Sequence, residues 1–473
     1  MERRAHSLWK RRAHSLSALV LAGALALVTA QCGSSQAAPD TAAGNPTMGF
    51  VADPQLATLI KDISPAQIRA TDSTLVAFGT RHTLSDTMSD TRGIGAARRY
   101  LFKRFTDISA ACGGCLHVEY DPAMVQVRRF PNQPTVNVVN VLAWLPGRDA
   151  KRVVIVTGHY DSCICAVDQT DDTSDAPGAD DDASGTSDVV ELARVFSTHY
   201  PKGLDATVLF AAVAGEEQGL LGSTHLAQRL HDEGYTVVAD MSDDIVGNVS
   251  ASNGRTDSTT MRVYSGDPDN SPSRELSRTT VALGALYNPD FHVLDVLRID
   301  RIGRGTDHEP FVALDEPGIR TTERMEALDR QHSPKDRFEY VNFGYAANIA
   351  RLNAAVLGAL GSAPATPDSV RATRERPLGQ SWKLSWAPVP GASSYEVLVR
   401  STTSPAWEQI IPVSSGTSYV LEQQLDDLWA AVRSVDAQGH RSLAVVVPPP
   451  RRPRPTSRAA AAGGAPGRSR PRR

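Results

Sequence analysis

Short apolar runs alternate with amphipathic stretches from Phe50 to about Gly361. VNVVNVLAWL (136–145) and RVVIVTG (152–158) are nearly unbroken apolar runs, which predicts buried strands. ASGTSDVVELARVFSTH (183–199) places Val189, Leu192, Ala193 and Phe196 on one helical face. ATVLFAAVAG (206–215) predicts a further buried strand, GSTHLAQRL (222–230) a helix, and TVVADMSDDIVG (236–247) a strand. Repeated strand–helix–strand units predict an α/β sheet covered by helices on both faces. In such sheets functional residues gather at the carboxyl ends of the strands.

The pattern changes after SAPATPDSV (362–370). WKLSWAPV, SYEVLVR, TSYVLE and WAAVRSV are short strand-like runs separated by turn residues, which predicts a small all-β sandwich. Trp386 before Pro-Val-Pro-Gly-Ala, Tyr395 in a strand and the run AVRSVDAQGHRS resemble a fibronectin type III domain over residues 364–448. Residues 449–473 are rich in Pro, Arg, Ala and Gly and read as a disordered basic tail.

Charge sharpens this division. The 473 residues carry a formal net charge of −4, but eight arginines and no acid fall in the last 24. Without that tail the chain stands at −12, which argues against nucleic acid as its main partner. At the other end, Arg3, Arg4, Lys10, Arg11 and Arg12 precede an apolar run from Leu16 to Val28 and a small-residue end at Ala30. Residues 1–30 therefore read as a signal peptide and 31–50 as a linker, with no stable membrane insertion after cleavage. A secreted or periplasmic location explains four paired cysteines, Cys112/Cys115 and Cys163/Cys165, as two disulfides of open connectivity.

Residues 51–361 also collect chemistry. GHYDS (158–162), AGEEQGLLGS (214–223) and the end of VADMSDDIVGN (238–248) follow predicted strands. PGADDDASG (177–185) precedes a helix and GTDHEPF (305–311) lies in a loop. Singly each has a plain explanation, such as acids at a helix start. Together they bring carboxylates and histidines to one sheet edge, where their repulsion calls for cations. His and carboxylate donors suit zinc, and two metals about 3.5–4 Å apart form a known hydrolytic arrangement.

Taken in order, GHYDS, PGADDDASG, GEEQGLLGS, D-x-V-G-N and TDHEPF resemble the M28 family of zinc peptidases, which includes bacterial aminopeptidases. The resemblance implies a mixed sheet of the zinc-exopeptidase type, two Zn2+ per chain and a peptide or protein substrate. It implies His159 and Asp244 as ligands of one zinc, Glu217 and His308 as ligands of the other, and Asp181 as the bridging carboxylate. Asp161 would orient His159, and Glu216 would act as general base on a water that zinc makes acidic. QHSPKDRFEYVNF (331–343) resembles a family segment near the substrate pocket, giving His332 a substrate-binding role. Within VADMSDDIVGN, strand alternation sets Asp243 apart from Asp240 and Asp244, and the motif selects Asp244. The reading that follows is an exported aminopeptidase. The alternatives are a glutaminyl-cyclase-like transferase on the same fold, or a degenerate surface-binding protein.

Overall fold

The computed structural model describes residues 47–448 apart from 131, 377 and 378. The expected signal peptide, most of the linker and the basic tail lie outside the described residues. Helices α1 (Pro54–Lys61), α2 (Pro65–Ala77) and α3 (Gly93–Ala111) come first. Strands β1 (His117–Gln126), β2 (Thr135–Leu145), β3 (Asp149–His159), β4 (Ala206–Val213), β5 (Thr236–Asp243), β6 (Thr260–Ser265), β7 (His292–Val296) and β8 (Gly318–Glu323) form one sheet. Between and after them run α4 (Gly185–His199), α5 (Leu221–Asp232), α6 (Pro272–Tyr287), α7 (Glu309–Ala313) and α8 (Phe343–Gly361).

The sheet order is β1-β2-β4-β3-β5-β8-β6-β7. The four central strands, β4-β3-β5-β8, are parallel, while β1, β2 and β6 pair antiparallel with their neighbours in the sheet or join it that way. The sheet is therefore mixed, as expected. All eight residues of β4 are buried, which explains its unbroken apolar run. Val208, Phe210 and Ala212 face one layer of helices, and Leu209, Ala211 and Val213 face the other. The first layer is built on α4, α6 and α8, and the second on α5 with Phe311 of α7. At roughly 25 cal/mol per Å2 of apolar surface removed from water, such two-sided burial is the main stabilising term.

Seven further strands make two antiparallel sheets. β9 (Arg371–Arg374), β10 (Trp382–Ser385) and β13 (Ser418–Leu421) form one. β11 (Ser394–Ser401), β12 (Gln409–Val413), β14 (Leu428–Val435) and β15 (Val445–Val446) form the other. On the second sheet Val397, Val399, Ala430 and Val432 point into the space between the two sheets. Leu398 and Ala431, on its opposite face, join the core of the α/β body. Trp407 is fully buried there, and its Nε1 donates to Glu275 Oε2 of α6 at 2.9 Å. Arg400 pairs with Asp269 at 2.6 Å, and Arg278 Nε donates to the Pro405 carbonyl at 2.7 Å. The β region is thus packed against the α/β body by a shared core, an ion pair and hydrogen bonds from buried side chains.

Candidate metal centre

Register alone brings three of the expected segments together. In the parallel pairs, His159 lies beside Val213 and Gly158 beside Asp243. The residues just after β4 and β5 therefore emerge next to His159 at the same edge. Gly158 is required there: a Cβ would lie 2.7 Å from Gly185 C and Thr186 N, so only glycine lets the start of α4 approach β3 this closely.

The three consecutive aspartates before α4 divide their work. Asp180 Oδ1 accepts the Gly247 N–H at 2.8 Å. Asp182 accepts the N–H groups of His159 at 3.1 Å and Gly185 at 2.9 Å, so the helix-start explanation holds for this acid. Asp181, joined to Asp182 by a cis peptide, turns its carboxylate to the histidines. Its Oδ1 lies 3.3 Å from His159 Nε2, and its Oδ2 lies 3.1 Å from His332 Nε2. Asp336 accepts the N–H groups of Asp180 at 3.0 Å and Asp181 at 2.9 Å, fixing the backbone beneath that carboxylate.

Two overlapping donor groups result: His159, Asp181 and Asp244, and Asp181, Glu217 and His332. Asp244 Oδ1 stands 4.0 Å from His159 Nε2, and its Oδ2 is held by Arg320 at 3.2 Å. Glu217 Oε2 is 3.2 Å from His332 Nε2. Asp161 is buried 3.7 Å from His159 Nδ1, and its two oxygens each accept an N–H, from Glu216 and from Glu217, at 3.3 Å. Glu216 lies on the wall of a cavity of ≈ 390 Å3 that also exposes Asp181, Glu217, Asp244 and His332. Arg129, Arg301, Arg304 and Glu309 complete much of its rim.

The geometry does not bring every expected ligand together. His308 lies in neither donor group. It is fully buried at the start of α7, with Nε2 2.9 Å from the Ile299 carbonyl, and burial pushes its pKa down to about 4. His332, expected to bind substrate, stands beside Glu217 and Asp181 instead. The loop from Gln331 to Asp336 crosses the strand ends, and His332 adopts a left-handed backbone (φ 52°) that carries its ring between Asp181 and Glu217. The predicted strand through residue 247 also ends early, at Asp243. Ile245 takes φ 53°, uncommon for a β-branched residue, so Asp244 is aimed by a turn and not by strand alternation. Asp243 instead accepts Asn353 Nδ2 at 2.6 and 2.8 Å. The Asp240 carboxyl is buried without a hydrogen-bond partner among the described residues, and burial raises its pKa.

Several supporting residues carried no motif. Arg81, fully buried, donates to the carbonyls of Tyr160 (2.7 Å), Pro177 (2.6 Å) and Gly178 (2.9 Å). It thereby ties the His159 loop to the Asp181 loop. Arg320 was likewise unmarked, because one arginine in a strand has no spacing to betray it. Asp336 was visible only as the acid of His-Ser-Pro-Lys-Asp.

The electrostatics suit a cation. Burial pushes Glu217 up to about 8 and Glu216 well above the ordinary carboxyl range, with Asp244 adding to the latter. Glu217 pushes His332 up to about 10 against the effect of burial. Burial opposes a charge on His159, but Asp161 and Asp181 outweigh it and hold its pKa high. His159 Nε2 and Glu217 Oε1 are buried with no hydrogen-bond partner among the described residues. Imidazole nitrogens and carboxylates converging in this way fit zinc.

Residues 140–357 match the model of peptidase family M28. A probable zinc metalloprotease of Pyrenophora teres f. teres is 36% identical over 426 residues, covering 83% of this chain and 86% of the relative. Another, from Pyricularia oryzae, is 35% identical over 444 residues, covering 86% and 87%. Among solved structures, the Legionella pneumophila LapA aminopeptidase is similar with a TM-score of 0.52 at 22% identity, over 67% of this chain and 76% of that one. LapB from the same organism gives 0.51 at 22%, over 67% and 77%. Fold, donor set and relatives define a zinc metallopeptidase acting on peptide substrates. The chain belongs to peptidase family M28.

Proposed function

We propose that the protein is an exported aminopeptidase that holds two zinc ions and removes the N-terminal residue of a peptide. The observation that carries the two-metal reading is the carboxylate of Asp181, whose two oxygens face two different histidines at 3.3 and 3.1 Å. His159 and Asp244 would complete one zinc, and Glu217 and His332 the other. When bound, zinc supplies Lewis acidity to a water and to the scissile carbonyl.

Glu216 is the residue left free for proton transfer. It neighbours Glu217 but belongs to neither donor group, and it reaches the cavity. In that position it takes a proton from the attacking water and returns it to the leaving amine. Asp161, by bonding the backbone at 216 and 217 while sitting beside His159, keeps base and ligands in one frame. Export is supported by the basic-apolar start of the chain and by the disulfides Cys112–Cys115 and Cys163–Cys165. The packing of Trp386 on Tyr395, 5.3 Å between ring centres, supports a fibronectin type III-like domain over 364–448.

The test is metal content together with hydrolysis of N-terminal residue amides and of Gln-peptides, for the wild type and Glu216→Gln. About two zinc ions per chain in both proteins, with amide hydrolysis lost in Glu216→Gln, is the expected result. Cyclisation of N-terminal glutamine without amide cleavage would overturn the aminopeptidase reading.

A further inference from the structure

The loop after GHYDS carries a feature that hydrolysis does not use. Cys163 and Cys165 are joined to each other, and each sulfur together with a carboxylate oxygen of Glu217 falls within 4.8 Å of the other two. Glu217 also belongs to the Asp181–His332 group, so one carboxylate lies between two sets of partners. The loops are linked through backbone as well: Ala166 N–H donates to the His332 carbonyl at 3.1 Å. Cys165 lines the cavity and Cys163 is 3% exposed, so one sulfur is reachable from the substrate side and the other is sheltered. The second pair, Cys112–Cys115, sits at the end of α3 and joins no metal-capable group among the described residues.

We propose that Cys163, Cys165 and Glu217 form a latent thiolate metal site that opens when a dithiol reduces the disulfide, and that its filling switches the peptidase off. The chemistry balances without further reactants. A reductant thiolate attacks Cys165 Sγ, the S–S bond breaks and Cys163 leaves as thiolate. The reductant's second thiol then displaces Cys165 and closes the reductant's own disulfide. Two electrons and two protons pass to the protein, and the protons leave when a cation binds. Disulfide sulfur is a poor ligand, whereas a thiolate pair prefers zinc and softer cations over carboxylate donors. Glu217 drawn to such a cation is lost to Asp181 and His332, and a thiolate-rich set fills the open position that hydrolysis needs. The oxidised, working form then matches an oxidising compartment. The thiolate site stands on its own geometry, and only the inhibitory half rests on the two-zinc reading.

The test uses the full chain carrying Cys32→Ala, Cys112→Ala and Cys115→Ala, so that Cys163 and Cys165 are its only cysteines. Protein is reduced anaerobically with dithiothreitol, desalted and titrated with cadmium, reading cadmium–thiolate charge-transfer absorbance and cadmium per chain. The band is expected only after reduction, with one thiolate-bound cadmium per chain. It should vanish in Cys163→Ser/Cys165→Ser and in reduced protein alkylated with iodoacetamide, which needs no second folded variant. No band after reduction, or an equal band after alkylation, overturns the site. Hydrolysis of the best amide substrate should fall about tenfold or more on reduction with zinc present and return on re-oxidation. A band with unchanged hydrolysis overturns the inhibitory half. An oxidised enzyme inert to every amide would instead overturn the aminopeptidase reading and leave the absorbance result to decide the site.

Discussion

Exchanging the two candidate histidines separates the geometry from the motif. His332→Ala removes the nitrogen 3.1 Å from Asp181 and 3.2 Å from Glu217. Residues that merely orient a ligand are worth about 10–100-fold in metal affinity. Loss of a donor itself should therefore cost at least the upper end, about 100-fold or ~2.7 kcal/mol at ~1.36 kcal/mol per decade. His308→Ala removes a ring that, among the described residues, bonds the Ile299 carbonyl and belongs to neither donor group. Its cost is to folding, about 1–3 kcal/mol for a buried acceptor left unpaired, before any cavity effect. The assay is zinc per chain after dialysis against limiting zinc, with thermal unfolding of the same samples. His332→Ala should retain one zinc where the wild type retains two, and His308→Ala should retain two but melt lower. Loss of zinc in His308→Ala with full retention in His332→Ala would refute the placement.

Four further outcomes follow from the same structure. Glu216→Gln should slow amide hydrolysis by roughly 10²–10⁴ while keeping wild-type zinc content, the range expected for a general base. Trp407→Ala should cost about 3–5 kcal/mol in denaturant unfolding, because it empties a fully buried site and removes the donor to Glu275 Oε2; a loss confined to a separate small transition would contradict the shared core. Zinc at about 100 times its dissociation constant should raise unfolding free energy by ~2.7 kcal/mol per site over the chelated protein, read as a higher Tm. Glu316, held at about 7 chiefly by burial, with Asp315 adding and His231 opposing, has a folded pKa above its ordinary 4.5. Its contribution is complete below about 4.5 and is lost as pH rises through about 7, so Glu316→Gln should gain on the wild type across that window and level off above it.

The alternation of apolar runs made the sheet legible, because strands buried on both faces must read that way. β4 and β3 are the clearest cases: β4 is buried along its whole length and β3 from Val153 to His159. The carboxylates at strand ends were legible for a related reason, since parallel register leaves few routes from β3, β4 and β5 to anywhere but one edge. The position of His332 between Asp181 and Glu217 was not legible, because it depends on a left-handed backbone in a loop, and no periodicity reports on a loop's path. The sequence around His308 does not separate it from its neighbour: Asp307 is buried, with its pKa pushed up to about 7 by burial, while the His308 ring meets the Ile299 carbonyl. Arg81 and Asp336 escaped notice because both act on backbone groups, which leave no signature in the side chains they serve.

Arg81 also bears on how such chains can be cut and joined. The segment that matches the family model begins at residue 140. Arg81 stands outside it, as do α1 to α3, which bury Leu56, Leu75, Leu101 and Phe105 in the same core. Trp407 and Leu398 close that core from beyond residue 357. A fragment trimmed to the shared segment would bare apolar surface at both ends and release the tie between the two ligand loops. The unit that recombination can move between proteins is therefore larger than the segment that the family model outlines.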